Sequence, residues 1–128
     1  MGMASLTTTG AHALTARKDI HEVARDLTEG LGPTLVAALA GSKDRKLPSK
    51  WAKPDGPEPR AEFQRRLLLA HRVWTSIENA DGAHVARQWF IGGNPSLKEA
   101  TPITAIREDL DAAVVRAAEV FITGLPDE

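Results

Sequence analysis

The feature that most constrains this chain is a long apolar stripe with helical spacing between positions 60 and 79. The stripe consists of Phe63, Leu67, Ala70, Trp74 and Ile77. Steps of 4, 3, 4 and 3 residues place these side chains on one face of an α-helix. A helix of about 18 residues spans about 27 Å. We therefore expect this helix to lie at the centre of a helical core. Alternatively, its wide apolar face forms part of a dimer interface.

Glycine and proline divide the rest of the chain into shorter helices. Proline fits the first turn of a helix, and glycine suits its exit. The predicted helices cover residues 15–29, 33–40, 48–52, 60–79, 83–91, 102–107 and 109–123. The predicted N-caps are Thr15, Asp81 and Thr101, and the predicted helix ends are Gly30, Gly41 and Gly124. No strand pattern and no internal repeat is present, so the sequence predicts an all-α fold.

Composition narrows the class of protein. A chain of 128 residues with 42% hydrophobic and 26% charged residues is typical of one soluble domain, or of two small modules that share a core. Cysteine is absent, which excludes a disulfide framework and a thiolate nucleophile. No apolar run approaches the roughly 20 residues that a membrane span requires. The first ten residues lack the basic start and apolar core of a signal peptide. We therefore expect a cytoplasmic protein without a membrane partner.

The net charge of −1 hides a basic segment. Residues 43–53 hold five basic side chains against one acid, whereas residues 67–128 hold five basic and nine acidic ones. Two short helices around a glycine turn, the second of them basic with one tryptophan, are typical of a helix-turn-helix. The residues predicted to meet DNA phosphates are Lys43, Arg45, Lys46 and Lys53, and those predicted to approach base edges are Ser49 and Lys50. Trp51 is predicted to lie in the core, and a solvated lysine-rich loop is the alternative for the segment.

Catalytic patterns are weak. The four histidines, at positions 12, 21, 71 and 84, are scattered and lack the spacing of a metal-binding helix. Gly92-Gly93 is not followed by the lysine and hydroxyl residue of a phosphate-binding loop. Nothing in the spacing places a serine, a histidine and an aspartate as a triad. The sequence therefore predicts a protein that is not an enzyme and uses no metal or cofactor.

The order of residues after position 85 is more specific. One predicted helix ends in Trp89-Phe90, Gly92-Gly93-Asn94-Pro95 turns the chain, and Leu97 follows. Thr101-Pro102 then opens a helix, and a last helix ends at Gly124. Its predicted apolar stripe consists of Leu110, Val114, Ala117 and Phe121. This order and spacing resembles the toxin-binding domain of Xre/MbcA/ParS-type antitoxins. Residues 39–51 resemble the helix-turn-helix that precedes that domain, so the resemblance covers about residues 20–125.

The resemblance implies partners that the residue chemistry alone does not. Such antitoxins are encoded beside a RES-domain toxin that degrades NAD⁺, and they bind over its active site. They usually form homodimers, and the complex represses its own operon by binding operator DNA. The implied toxin-binding residues are Trp89, Phe90, Asn94, Pro95, Leu97, Pro102, Ile122, Gly124 and Leu125. The last three of these would lie nearest the toxin's active site.

On this interpretation the chain has three parts. Residues 1–14 are a flexible N-terminus, 15–59 a helix-turn-helix-like DNA-binding module, and 60–128 the central helix with the toxin-binding domain. A second hypothesis is a stand-alone Xre-like helix-turn-helix transcriptional regulator whose C-terminal module serves dimerisation. Core packing is an alternative role for Trp89 and Phe90, beside toxin contact.

Overall fold

The computed structural model describes residues 19–125, which form seven α-helices and one 3₁₀ turn. The helices are α1 (Ile20–Leu31), α2 (Pro33–Ala40), α3 (Leu47–Trp51), α4 (Ala61–Asp81), α5 (Ala83–Ile91), α6 (Pro102–Arg107) and α7 (Asp111–Thr123), with the 3₁₀ turn at Pro95–Leu97. No β-strand occurs within residues 19–125, so the predicted all-α fold is confirmed. The predicted flexible N-terminus, the Thr15 cap and His12 lie outside the described residues.

The long helix α4 is the centre of the fold, as its stripe predicted. It packs against α1, α2, α5, α6 and α7. All five stripe residues are buried, and so is Val73 beside them. Buried side chains from both sides of α4 form one cluster, in which each fully buried Leu or Phe contributes about 1.5–3 kcal/mol. Leu68 points away from this cluster and is 47% exposed.

Proline and glycine set several helix ends as predicted. Pro33 opens α2, and Gly41 ends it with a left-handed backbone at φ 86°, a conformation that glycine adopts without steric cost. Thr101 caps α6 by accepting a hydrogen bond from the backbone N–H of Thr104, and Pro102 occupies the first turn. Gly124 ends α7, again with a positive φ.

Other predicted helix ends are wrong. Asp19 is the N-cap of α1, and its carboxylate accepts from the backbone N–H of His21. The helix then continues through Gly30 to Leu31 and ends at Gly32. Asp81 belongs to the last turn of α4, and the residue that separates α4 from α5 is Gly82.

The last helix begins later than predicted. Asp109 has a left-handed backbone at φ 63° and lies outside α7, which starts at Asp111. Only Asp111 is in the first turn, where a carboxylate complements the positive end of the helix dipole. The carboxylate of Asp109 instead accepts hydrogen bonds from Arg65 and Arg66 of α4. The chain therefore turns into α7 at an ion pair with the central helix.

Two aromatic contacts mark where helices meet in the core. Trp51 of α3 packs on Phe63 of α4 with ring centroids 5.5 Å apart. Trp74 of α4 packs on Phe90 of α5 at 5.9 Å. Such pairs add about 0.5–1.5 kcal/mol each beyond burial. The 21-residue α4 is too polar to cross a membrane, and no other helix within residues 19–125 meets the length and hydropathy of a span.

Candidate functional site

Most side chains of the basic segment, residues 43–53, lie on the surface, and buried side chains attach the segment to the core. Its predicted DNA-contacting residues are all exposed: Lys43, Arg45, Lys46, Ser49, Lys50 and Lys53. Pro48 and Trp51, on the same short stretch, are buried. The prediction that Trp51 lies in the core is confirmed. The helix α3 therefore turns its small apolar side inward and leaves its polar and cationic side chains facing solvent.

Local hydrogen bonds fix the turn between α2 and α3. The hydroxyl of Ser42 and the backbone of Asp44 bond to each other at 3.1 Å. The Asp44 carboxylate accepts from the backbone N–H of Lys46 at 2.9 Å. A hydrogen bond of 2.8 Å joins His21 Nδ1 of α1 to the carbonyl oxygen of Trp51. The single acid of the segment is thus used to shape the turn, and the segment is anchored at both ends.

An open cleft of about 530 Å³ lies beside this segment. Its apolar floor contains Leu47, Trp51 and Phe63. Its lining also includes two cations, Lys43 and Arg60, and two acids, Asp44 and Glu58. Because these charges balance, the cleft marks the edge of the positive surface rather than extending it.

The arginine pair of α4 joins the start of α7 to the end of α2. Arg66 donates to the backbone oxygen of Ala40 at 2.7 Å and, through Nε, to Asp109 at 2.9 Å. The hydrogen bond to Asp109 raises the pKa of Arg66. The same hydrogen bond, followed by the charges of Arg66 and Arg65, holds the pKa of Asp109 below its usual value of 3.8, against a smaller opposing effect of desolvation. Arg65 also pairs with Asp111 at 2.7 Å.

The residues that the resemblance assigns to the toxin fall into two groups. Trp89, Phe90, Leu97 and Pro102 are buried, so they shape the C-terminal helices from within. Asn94 is partly buried, and its side chain accepts from the backbone N–H of Ser96 at 2.9 Å. The core-packing alternative for Trp89 and Phe90 therefore describes where these two side chains lie.

The second group is exposed. Its members are Pro95, Ile122, Gly124 and Leu125. Leu125 is 67% exposed, the most of any large hydrophobic residue in the described part of the chain. Ile122 lies in a shallow groove between α4 and α7.

Phe121 belongs with this exposed group, although the sequence predicted it as part of the buried stripe of α7. Its ring is 43% exposed and packs against Trp89 with centroids 6.5 Å apart. The indole N–H of Trp89 is buried and has no hydrogen-bond partner within residues 19–125. An unpaired buried donor costs about 1–3 kcal/mol. Periodicity alone could not reveal this exposure, because Phe121 continues the spacing of Val114 and Ala117.

A second cleft brings several ionisable side chains close together. A cleft of about 350 Å³ near Trp74 contains Asp26, Glu29, His71 and Glu78. Nε2 of His71 lies 3.0 Å from a carboxylate oxygen of Asp26, within hydrogen-bond distance. No group of three histidine or carboxylate side chains within residues 19–125 could hold a metal ion. We find no arrangement of a nucleophile, a base and an oxyanion donor in this region.

Comparison with known proteins adds no relative. No protein family matches the chain, and neither characterised proteins nor solved structures give a match. The function of this chain is therefore inferred from its sequence pattern and from the surfaces described above.

Proposed function

We propose that this chain is an antitoxin that binds over the active site of a cognate RES-domain, NAD⁺-degrading toxin. We also propose that it acts as a homodimer and represses its own operon by binding operator DNA. The proposal combines the sequence resemblance with two exposed surfaces of opposite character. One is the basic segment, and the other is the apolar C-terminal end of α7.

The observation that carries the proposal is the apolar end of α7. Phe121, Ile122 and Leu125 are exposed within five residues, at the C-terminal end of a helix whose other face is packed into the core. Exposed apolar residues that cluster in this way are typical of a protein–protein contact. Trp89, whose ring packs against Phe121, has a buried indole N–H without a hydrogen-bond partner within residues 19–125. This end of the fold is suited to being covered by another protein.

Inhibition by covering an active site requires no catalytic group on the inhibitor. It requires a rigid support and a few large anchors that exclude water. The rigid support here is the buried set of Trp89, Phe90, Leu97 and Pro102. The acidic residues that follow Leu125 in the sequence, Asp127 and Glu128, would complement basic residues that bind a pyrophosphate in the toxin.

The basic segment supports the DNA-binding half of the proposal. Five cations and a serine are exposed on one short stretch whose backbone is fixed by the bonds around Asp44 and Trp51. Lysine and arginine side chains on such a fixed backbone bind phosphates, and their contribution to DNA affinity falls as the salt concentration rises. The helix α3 is only five residues long, so base contacts would be limited to Ser49 and Lys50.

The toxin contact is tested by changing the exposed end without touching the core. Because α7 ends at Thr123, a chain truncated after Gly124 keeps every described helix. This truncation and Leu125→Asp should each weaken binding to the toxin. The toxin should therefore consume NAD⁺ faster in the presence of either altered chain than in the presence of wild type. Leu110→Asp is the matched control, since Leu110 is also exposed but precedes the first turn of the same helix. Full inhibition by both altered chains would refute the contact.

The operator contact is tested separately. The variant Lys46→Ala/Lys50→Ala should bind operator DNA more weakly. The slope of log affinity against log salt should fall by roughly 1, because the lost phosphate contact of Lys46 removes about 0.9. Lys98→Ala, an exposed lysine outside the basic segment, is the control. Toxin inhibition should be unchanged in the double variant. Operator binding without any toxin partner would instead favour the stand-alone regulator.

A further inference from the structure

Exposed apolar side chains line the contact between α4 and α7. A shallow groove between these helices is lined by Arg72, Val73, Ser76, Val115, Ala118, Glu119 and Ile122. Ile122 is 37% exposed there, and Val115 is partly exposed. Val73 and Ala118 in this lining are buried, so the exposed apolar surface of the groove, which we call the apolar strip, is formed by Ile122 and Val115.

Leu68 extends this strip toward the start of both helices. On α4, positions 65, 68, 72 and 76 follow one another at helical spacing, and so share a face. Arg65 on that face contacts Asp111 at the start of α7, while Arg72 and Ser76 line the groove farther along. The two helices therefore run side by side in the same direction. Leu68 lies on this face of α4 between Arg65 and Arg72, beside the groove lining, and 47% of its surface is exposed.

Two opposite charges flank the apolar strip. Arg72 enters the groove lining from α4, and Glu119 enters it from α7. Neither side chain forms an ion pair with another described residue. The groove thus presents a cation on one side, an anion on the other, and apolar surface between them.

We propose that this α4–α7 groove is the interface of a two-fold symmetric homodimer. A two-fold axis brings the same patch of both copies together, so the patch must complement itself. This groove does, because rotation about an axis between the helices sets Arg72 of one protomer against Glu119 of the partner subunit, and the reverse pair follows by symmetry. In this arrangement the second copy covers the exposed side chains of Leu68 and Ile122, which lie about one helical turn before and after the level of the charge pairs.

The inference deepens the homodimer of the proposed function by naming its surface. It also divides the exposed end of α7 between two uses. Ile122 lies in the groove and is covered by the second copy, whereas Leu125 lies beyond the helix end and remains for the toxin. Self-association is measured on the purified chain alone. Its outcome is therefore distinguishable from failure of the toxin or DNA contact.

The charge pairs are tested by reversal and mixing, with mass in solution measured by analytical ultracentrifugation. Wild-type chain should dimerise. Arg72→Glu alone and Glu119→Arg alone should each weaken the dimer at least about tenfold, because each homodimer would then oppose like charges twice. An equimolar mixture of the two variants should dimerise again, since both contacts of the mixed dimer join opposite charges.

Mixing distinguishes contact between chains from an effect within one chain. If the charges acted only within a chain, the two variants would stay monomeric when mixed, and the inference would be refuted. A wild-type chain that remains monomeric into the millimolar range would also overturn it. High salt should weaken the rescue, because partly exposed pairs are screened.

The apolar strip is tested by a matched pair of substitutions. Leu68→Ser should shift the dimer toward monomer, again by about tenfold for the loss of one buried leucine at an interface. Ile91→Ser is the control, since Ile91 is 40% exposed and lies on α5, outside the groove. Both positions are exposed in the single chain, so both variants should fold normally by circular dichroism. Equal effects of the two substitutions, or no effect of Leu68→Ser, would contradict the assignment.

Discussion

Gly30 offers a test of the core in which two opposing effects can be weighed. It lies inside α1, where its backbone is helical, a conformation that alanine also adopts. A glycine in a helix interior costs about 0.8–1.0 kcal/mol relative to alanine, so propensity alone predicts that Gly30→Ala stabilises the protein. A Cβ at this position, however, would lie 2.4 Å from Cζ2 of Trp74 and 2.7 Å from its Cη2.

The clash should outweigh the propensity. Trp74 is only 4% exposed, and its ring packs against Phe90, so the indole cannot swing into solvent. Forcing a methyl group into a packed core typically costs about 1–3 kcal/mol, and separations this short place the cost toward the upper end. Subtracting about 1 kcal/mol of helix propensity leaves a net destabilisation of about 1–2 kcal/mol. At this chain length that lowers Tm by several degrees.

A double-mutant cycle tests whether the clash with Trp74 causes this destabilisation, with the free energy of unfolding measured in denaturant. Trp74→Phe removes the ring atoms that a Cβ at position 30 would meet, at its own cost in core volume. In that background Gly30→Ala should lose most of its penalty, or stabilise the helix. The reasoning fails if Gly30→Ala raises the stability of the wild-type protein, or if its penalty is unchanged beside Phe at position 74.

Two further predictions concern the supports of the C-terminal half. Because the pKa of Asp109 is lowered in the fold, its contribution to stability is present above its ordinary pKa of 3.8 and is lost as the pH falls below that value. Asp109→Asn should therefore be less stable than wild type at pH 6, and the gap measured by thermal denaturation should narrow as the pH is lowered below 3.8. Thr101→Ala removes the side chain that caps α6, and should cost about 1 kcal/mol in denaturant unfolding. Thr101→Ser should keep most of that stability, and equal loss in both variants would contradict the capping role.

Local signals predicted much of this fold. The 4-3-4-3 spacing on α4 identified a buried helix face, and all five of its residues are buried. Pro33, Gly41 and Pro102 marked helix ends because their backbone restrictions act within a turn. Such signals need no knowledge of distant residues.

The errors arise where a distant residue decides the outcome. Gly30 was predicted to end α1, yet the helix passes through it, and the close approach of Trp74 explains why no side chain is tolerated there. Asp109 was predicted to begin α7, yet it pairs with Arg66, which lies 43 positions earlier in the chain. Neither contact can be predicted from the spacing of residues along the chain. The exposure of Phe121 was missed for the same reason, since local spacing does not show how far neighbouring elements cover a helix face.

The position of Arg66 affects how variants of this protein should be interpreted. Its guanidinium holds the last carbonyl of α2, next to the turn that begins the basic segment, and also holds Asp109 before α7. A Cβ at Gly41 would lie 2.7 Å from Arg66 Nη1, so this junction is tightly packed. A substitution at Arg66 would therefore disturb the supports of both candidate surfaces at once. Loss of operator binding and of self-association in such a variant would show a shared support, whereas exposed substitutions such as those at Lys46 and Leu68 separate the two surfaces.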